Sequence, residues 1–320
     1  MTDVRVPIHV ITGFLGSGKT TFIQRILAHD NSNNTLILIN ELGEIGLDNL
    51  LVKPIADNTF LLPSGCMCCA VLSDVKETLL SITSEVMKGN IQPFDKIIIE
   101  TTGLANPASI LSTLTQDTHL KGMFSLHGMT CVIDGELALD QADAQPEWLT
   151  QVVASHQLVL SKKDIITAAQ ARAVKEYIAR IHQASWINID EFVNMTLLFA
   201  TDLSLCQQTN RFFLPSQISR HQSVQTGVIS FYQPVDWMRF GLWLHLLLHR
   251  HGESILRIKG MLYLKDTELP IVLNGVQHCL YPPEHLDKPL WEDSISRLVF
   301  ITRDLPISQI QKSAQVFMNE

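Results

Sequence analysis

The sequence predicts an α/β fold: a doubly wound, mostly parallel sheet followed by a smaller α+β unit. Three observations predict it. Short apolar runs alternate with amphipathic stretches through the first two-thirds of the chain. A G-x-x-x-x-G-K-T segment, Gly13 to Thr20, lies between one such run and one such stretch. Beyond about residue 227 the pattern changes to several strand-like runs and two helical ones.

The first strand is the apolar run Pro7 to Ile11, and the first helix follows the glycine-rich segment, with Phe22, Ile23, Ile26 and Leu27 at helical spacing. Thr35 to Asn40 reads as a second buried strand, and Asn58 to Leu62 as a short one closed by Pro63-Ser64-Gly65. Ser73 to Lys88 reads as a helix capped by Ser73 and ended by Gly89. Lys96 to Glu100 is a strand, Pro107 to Thr115 a helix with proline in its first turn, and Thr130 to Ile133 a strand ending at Asp134. Leu158 to Leu160 is the next strand, and Thr167 to His182 a helix capped by Thr167. The pattern then fades into Gln, Ser, Asn and Pro. The expected domains are 1–205, a linker 206–226, and 227–320. In the last, Val228 to Tyr232, Ile255 to Leu264, Leu269 to Leu273 and Arg297 to Thr302 are expected strands; Asp236 to His251 and Pro306 to Met318 are expected helices.

Composition narrows the function. The 320 residues are 46% hydrophobic and only 18% charged, which suits about two globular domains. A net charge of −8 without a basic block argues against a nucleic-acid binder. The start of the chain lacks a secretory pattern, and no apolar run is long enough to span a membrane, so a cytoplasmic protein is expected. Three of the six cysteines crowd into Cys66, Cys68 and Cys69, which in a reducing compartment points to metal rather than disulfides. Cys131, Cys206 and Cys279 stand alone and read as structural.

The glycine-rich segment carries the clearest chemistry. Gly13, Gly16 and Gly18 let the backbone curl until its N–H groups, with a helix N-terminus behind them, face a phosphate chain. Ser17 and Thr21 belong to the same nucleotide-binding stretch. Lys19 adds a point charge at the outer phosphates, and the Thr20 hydroxyl is suited to Mg2+. This is a P-loop NTPase pattern.

Three further segments follow strand ends, where such folds bind ligands. Glu100, with Thr101, Thr102 and Gly103 after it, offers an acid for Mg2+ or for the attacking water, and a backbone N–H at Gly103 for the γ-phosphate. Ser161-Lys162-Lys163-Asp164 resembles a guanine-reading triplet: a carboxylate at Asp164 accepts from guanine N1–H and N2–H2, a pair adenine lacks, and the Lys162 stem can cover the base. Ser161 stands where Asn or Thr is more usual. Asn40 to Asp48, with Glu41 and Glu44, occupies a switch position; it contains no glutamine to orient water, so slow intrinsic turnover is expected. Cys66, Cys68 and Cys69 could share one soft or borderline ion with a further donor. His245, His249 and His251 lie near a helix end, where the dipole favours imidazolium without any ligand role; His245 and His249 are four apart and could share a face.

Together, Gly13–Thr20, Asn40–Asp48, Gly65–Cys69, Glu100–Gly103, Ser161–Asp164 and the strand Ile255–Gly260 resemble the CobW-type P-loop GTPases, a metal-chaperone family akin to the nickel-insertion GTPases of urease and hydrogenase. The resemblance implies GTP hydrolysis with Mg2+, coupled to holding Zn2+, Co2+ or another transition metal and passing it to a client metalloprotein. It also implies a metal set drawn from Cys66, Cys68, Cys69, Glu41 and Glu44. Two departures stand out: Ile39 occupies the position before Asn40-Glu41 where many relatives have an acid, and no His-rich loop is present. The alternatives are a nucleotide-regulated metal buffer or sensor without turnover, and an ATP-using kinase-like enzyme. Neither nucleic acid nor membrane is an expected partner, and the oligomeric state stays open, a homodimer included.

Overall fold

The computed structural model describes residues 5–29, 34–39, 59–61, 70–188, 198–199, 219–221, 224–286 and 293–318. The chain divides into two compact units, residues 1–175 with 184–206, and residues 176–183 with 207–320.

The first unit holds a seven-stranded, wholly parallel sheet. Its strands are β1 (Val6–Thr12), β2 (Thr35–Ile39), β3 (Thr59–Leu61), β4 (Lys96–Glu100), β5 (Phe124–Asp134), β6 (Gln157–Ser161) and β7 (Ser185–Ile187). Their spatial order is β3-β2-β4-β1-β5-β6-β7. Central strands of such a sheet are covered on both faces, which explains why β2 and β6 are buried at every residue and are apolar through residues 36–39 and 158–160. Strand β1 lies between β4 and β5, so the chain leaving it emerges at the middle of the carboxyl edge.

Register aligns the functional strand ends. Ile11 pairs with Glu100, Thr12 with Cys131, and Asp134 with Ser161. On the other side Glu100 pairs with Ile39, and Ile39 with Leu61.

The helices of this unit are α1 (Lys19–His29), α2 (Ala70–Met87), α3 (Pro107–Gln116), α4 (Thr118–Met123), α5 (Ala138–Ala144) and α6 (Pro146–Ala154), with the first half of α7 (Ala168–Ile181), whose residues from 176 on are counted with the second unit. Helix α2 begins three residues before the expected cap, so Ser73 lies inside it; Ala70 and Leu72 favour helix and carry it back to the residue after Cys69. Gly89, at φ 77°, ends it as expected. Thr167 and Gln170 form a reciprocal capping box at the start of α7: the Thr167 hydroxyl accepts from Gln170 N at 3.2 Å, and Gln170 Oε1 accepts from Thr167 N at 2.9 Å. Strand β5 is longer than expected, starting at Phe124; Ser125, His127 and Gly128 interrupt its apolar pattern. Helix α6 was not foreseen: it is only nine residues long, and its polar stripe of Glu147, Thr150 and Gln151 does not face water, since Trp148 to Ala154 are all buried.

One polar cluster sits inside this core. His9 on β1 is fully buried, its Nε2 2.8 Å from the Thr130 hydroxyl, which donates to Gln157 Oε1 at 3.1 Å. The Phe199 ring meets the His9 ring nearly edge-on at 5.9 Å. Burial, and then the neighbouring His127, push the His9 pKa down to about 3.

The second unit is an antiparallel sheet with two helices. Strands β8 (Ser219–His221), β9 (Val224–Phe231), β10 (Ile255–Leu262), β11 (Ile271–Val276), β12 (Cys279–Leu280), β13 (Glu284–His285) and β14 (Ser296–Arg303) are ordered β12-β11-β10-β14-β9-β8, with β13 also on β11. Strand β8 and the first residues of β9 fall within 206–226, so that stretch is not wholly linker. Helices α8 (Trp237–His251) and α9 (Ile307–Met318) cover the sheet. Asp236 caps α8, accepting from Arg239 N at 3.1 Å. Phe240, Trp243, Leu244 and Leu247 face the sheet residues Ile258 and Phe300, and Trp243 Nε1 donates to Ser313 Oγ at 2.9 Å. Burying each such side chain contributes roughly 1.5–3 kcal/mol.

Candidate functional site

The phosphate loop is built by the strand behind it and the helix ahead. Gly13, Gly16 and Gly18 have φ of 146°, 72° and 88°, all outside the range comfortable for a residue with Cβ. The loop closes on itself through Ser17 N to Phe14 O at 3.2 Å. Lys19, the first residue of α1, turns back over it; Nζ donates to Gly13 O at 2.9 Å and Phe14 O at 3.2 Å. Burial holds the Lys19 pKa below the usual lysine value, and the Glu100 carboxylate opposes that shift. The loop thus cradles an ammonium with the backbone carbonyls of Gly13 and Phe14.

Glu100 ends β4 and is 4% exposed. Its Oε1 accepts from the Thr20 hydroxyl at 2.8 Å. Thr101 locks the same strand end to β1: its N donates to Ile11 O at 2.9 Å, and its hydroxyl to Thr12 Oγ1 at 2.9 Å. Gly103 lies hard against the phosphate loop; a Cβ there would come within 2.7 Å of Leu15 backbone atoms. Gln151 of α6, fully buried, donates from Nε2 to Gly103 O at 3.0 Å and Ala105 O at 3.1 Å. That clamp fixes the turn after Glu100 and was not foreseen from sequence.

The segment Ser161–Asp164 is braced on the phosphate loop. Ser161 Oγ is within donating distance of Ser17 O, 2.7 Å, and Ile133 O, 3.0 Å. A short hydroxyl therefore bridges the two loops where a longer amide is more usual. Lys162 has φ 53°, rare for a non-glycine residue. Its Nζ meets Asp134 Oδ2 at 2.6 Å. Asp134 is 1% exposed, and its Oδ1 accepts from Glu136 N at 3.0 Å and Leu137 N at 3.3 Å. Asp134 thus anchors the Lys162 side chain. Sequence reasoning had noted it only as a strand end. Asp164 is exposed in the turn that follows β6.

Cys131, beside Thr12, is fully buried and its thiol pKa is pushed up to about 12 by burial. It stays a neutral core thiol, as Cys279 also is buried. Asn40–Asp48, with Glu41 and Glu44, and Cys66, Cys68 and Cys69 lie outside the described residues, as does Cys206. The structure does fix where those segments attach. The first leaves β2 at Ile39, level with Glu100; the second leaves β3 at Leu61 and enters α2 at Ala70. Among the described residues no group of three or more His, Cys, Asp or Glu gathers as for a metal ion. Among them also, no helix is long and apolar enough to cross a membrane.

A parallel sheet with this phosphate loop on its central strand and an acid at the end of the adjoining strand defines a P-loop nucleotide-binding protein. The chain belongs to the CobW/HypB/UreG family: that family's nucleotide-binding domain matches residues 7–188, and the C-terminal domain of the cobalamin synthesis protein cobW matches residues 224–316. It is similar to the zinc chaperone YjiA of Escherichia coli, 29% identical over 319 residues and 96% of each chain. It is also similar to the zinc-regulated GTPase metalloprotein activator 1 of Schizosaccharomyces pombe, 33% identical over 187 residues, 55% of this chain and 44% of that protein. The zinc-bound crystal structure of YjiA GTPase from E. coli shares the fold, with TM-score 0.67 and 23% identity over 98% of this chain and 99% of that one.

Proposed function

We propose that the protein is a GTP-hydrolysing metallochaperone that holds zinc, or a related transition metal, through Cys66, Cys68 and Cys69 and passes it to a client protein according to nucleotide state. One observation carries the reading: Thr20 and Glu100 meet at the phosphate loop, on the same rung of the sheet as Ile39, where the segment holding Glu41 and Glu44 begins. The names of the relatives above support the metal and the nucleotide.

The residues fit GTP with Mg2+. The inward N–H groups of the loop and Lys19 take the phosphates. Lys19 exchanges the carbonyls of Gly13 and Phe14 for phosphate oxygens. Thr20 and Glu100 would hold Mg2+, which when bound would supply charge neutralisation for the transferring phosphoryl group. Gly103, packed against Leu15 of the loop, would offer its N–H to the γ-phosphate; Asp164 would accept from the guanine edge, and Lys162, steadied by Asp134, would cover the base face. Glu41 and Glu44 respond to the γ-phosphate and complete the metal set with the thiolates. Helix α2 opens at the residue after Cys69, so its positive end favours ionised thiols. Hydrolysis then weakens the site and releases the ion.

The test is Zn2+ affinity measured in parallel with GDP and with a non-hydrolysable GTP analogue. Tighter binding with the analogue is expected, and by reciprocity Zn2+ must raise affinity for the analogue by the same factor. Equal affinities in both nucleotide states would reject the coupling.

A further inference from the structure

In the second unit, α8 carries a pair of histidines at helical spacing. The inner face of that helix is settled by Phe240, Trp243, Leu244, Leu247 and Leu248, all buried. His245 and His249 are on the outer face, both exposed, one helical turn apart. Their ring centroids are 6.4 Å apart and the planes are inclined by 35°. Neither imidazole has a hydrogen-bond or ion-pair partner among the described residues.

That spacing suits chelation. A tetrahedral ion with nitrogen bonds of about 2.0–2.1 Å holds two imidazole centroids about 5 Å apart. The rings must therefore close by roughly 1 Å, which small side-chain rotations supply at an exposed position. Imidazole prefers Zn2+, Ni2+ and Cu2+ over Mg2+ or Ca2+, which take oxygen donors. No third His, Cys, Asp or Glu joins the pair among the described residues. The remaining coordination positions therefore fall to water or to a donor from another molecule.

We propose that His245 and His249 form a second metal site, a two-nitrogen port for a borderline divalent ion. It is chemically distinct from the thiol site and open on its outer side. Two ligands give weak, quickly exchanging binding, suited to picking up or handing over an ion rather than retaining it. The competing role, in which the imidazoles only complement the negative end of α8, needs neither both rings nor a metal.

The experiment uses the full chain with Cys66, Cys68 and Cys69 replaced by Ser, which silences the thiols. It is titrated with Zn2+ and with Ni2+ by calorimetry, then again after His245→Ala or His249→Ala. Expected is one weakly bound ion whose affinity falls by roughly tenfold or more with either substitution. Both positions are exposed, and an unchanged thermal melt checks that the fold is kept. Equal stoichiometry and affinity with and without the two imidazoles would overturn the site. That failure would leave the thiol reading untouched, since the thiols are absent from the experiment.

Discussion

The hydroxyl of Thr20 and the carboxylate of Glu100 are joined by a 2.8 Å hydrogen bond, although 80 residues separate them in the chain. The bond spans the start of α1 and the end of β4, the two groups suited to a shared Mg2+. Glu100→Gln keeps a hydrogen-bond acceptor but removes the charge. GTP turnover should fall by about 100-fold or more, while GTP binding without Mg2+ stays near its original value. Phosphate release measured across a Mg2+ series checks this.

The base-reading turn predicts specificity. Asp164→Asn removes a charged acceptor and should weaken GTP binding by about 1.5–3 kcal/mol, or roughly 10- to 100-fold. Asp134→Ala acts at one remove, by releasing Lys162 from its 2.6 Å contact. It should weaken GTP and GDP together without favouring ATP. Competition binding with the three nucleotides separates the two variants.

Gly103→Ala would place a methyl group within 2.7 Å of the Leu15 backbone. Leu15 is part of the phosphate loop and cannot yield without moving it. Nucleotide affinity should fall, with only a minor loss of thermal stability. A fluorescent nucleotide titration alongside a melt tests the pair of outcomes.

His9 predicts a pH dependence. Its pKa in the fold is about 3, below the ordinary 6.5, because burial and His127 disfavour its charge. Between those values the unfolded chain binds more protons than the folded one, so stability falls as pH falls. From pH 7 to pH 5 this group alone removes about 2 kcal/mol. His9→Gln keeps a hydrogen-bonding group beside Thr130 and should flatten that part of the profile. Denaturant midpoints at the two pH values measure the difference.

Much of the nucleotide site was legible because each part has a local cause. A glycine loop between a strand and a helix can be read from a dozen residues, and Lys96 to Glu100 was predicted with the bounds it has. What escaped depends on contacts between distant segments. Gln151 looks like an ordinary polar residue until α6 brings it to Gly103. Asp134 gains its role only when β5 and β6 align it beside Ser161 and Lys162. The nine-residue helix α6 is too short for its Glu147, Thr150 and Gln151 stripe to stand out as a period, and Ser73 has the look of a cap because a serine before an apolar stretch usually is one. In the second unit, β8, β12 and β13 are three residues long or less, too short for alternation to register.

The pairing of Leu61 with Ile39, Ile39 with Glu100 and Glu100 with Ile11 has a mechanical consequence. Three interstrand steps of about 4.8 Å separate the end of β3 from the end of β1, roughly 14 Å in all. The chain bearing the sulfur donors and the chain wrapping the phosphates therefore start as near neighbours along one stiff edge. Under the proposed function, coupling between the two would need no relay through the protein interior, since both segments are anchored on the same edge of one sheet.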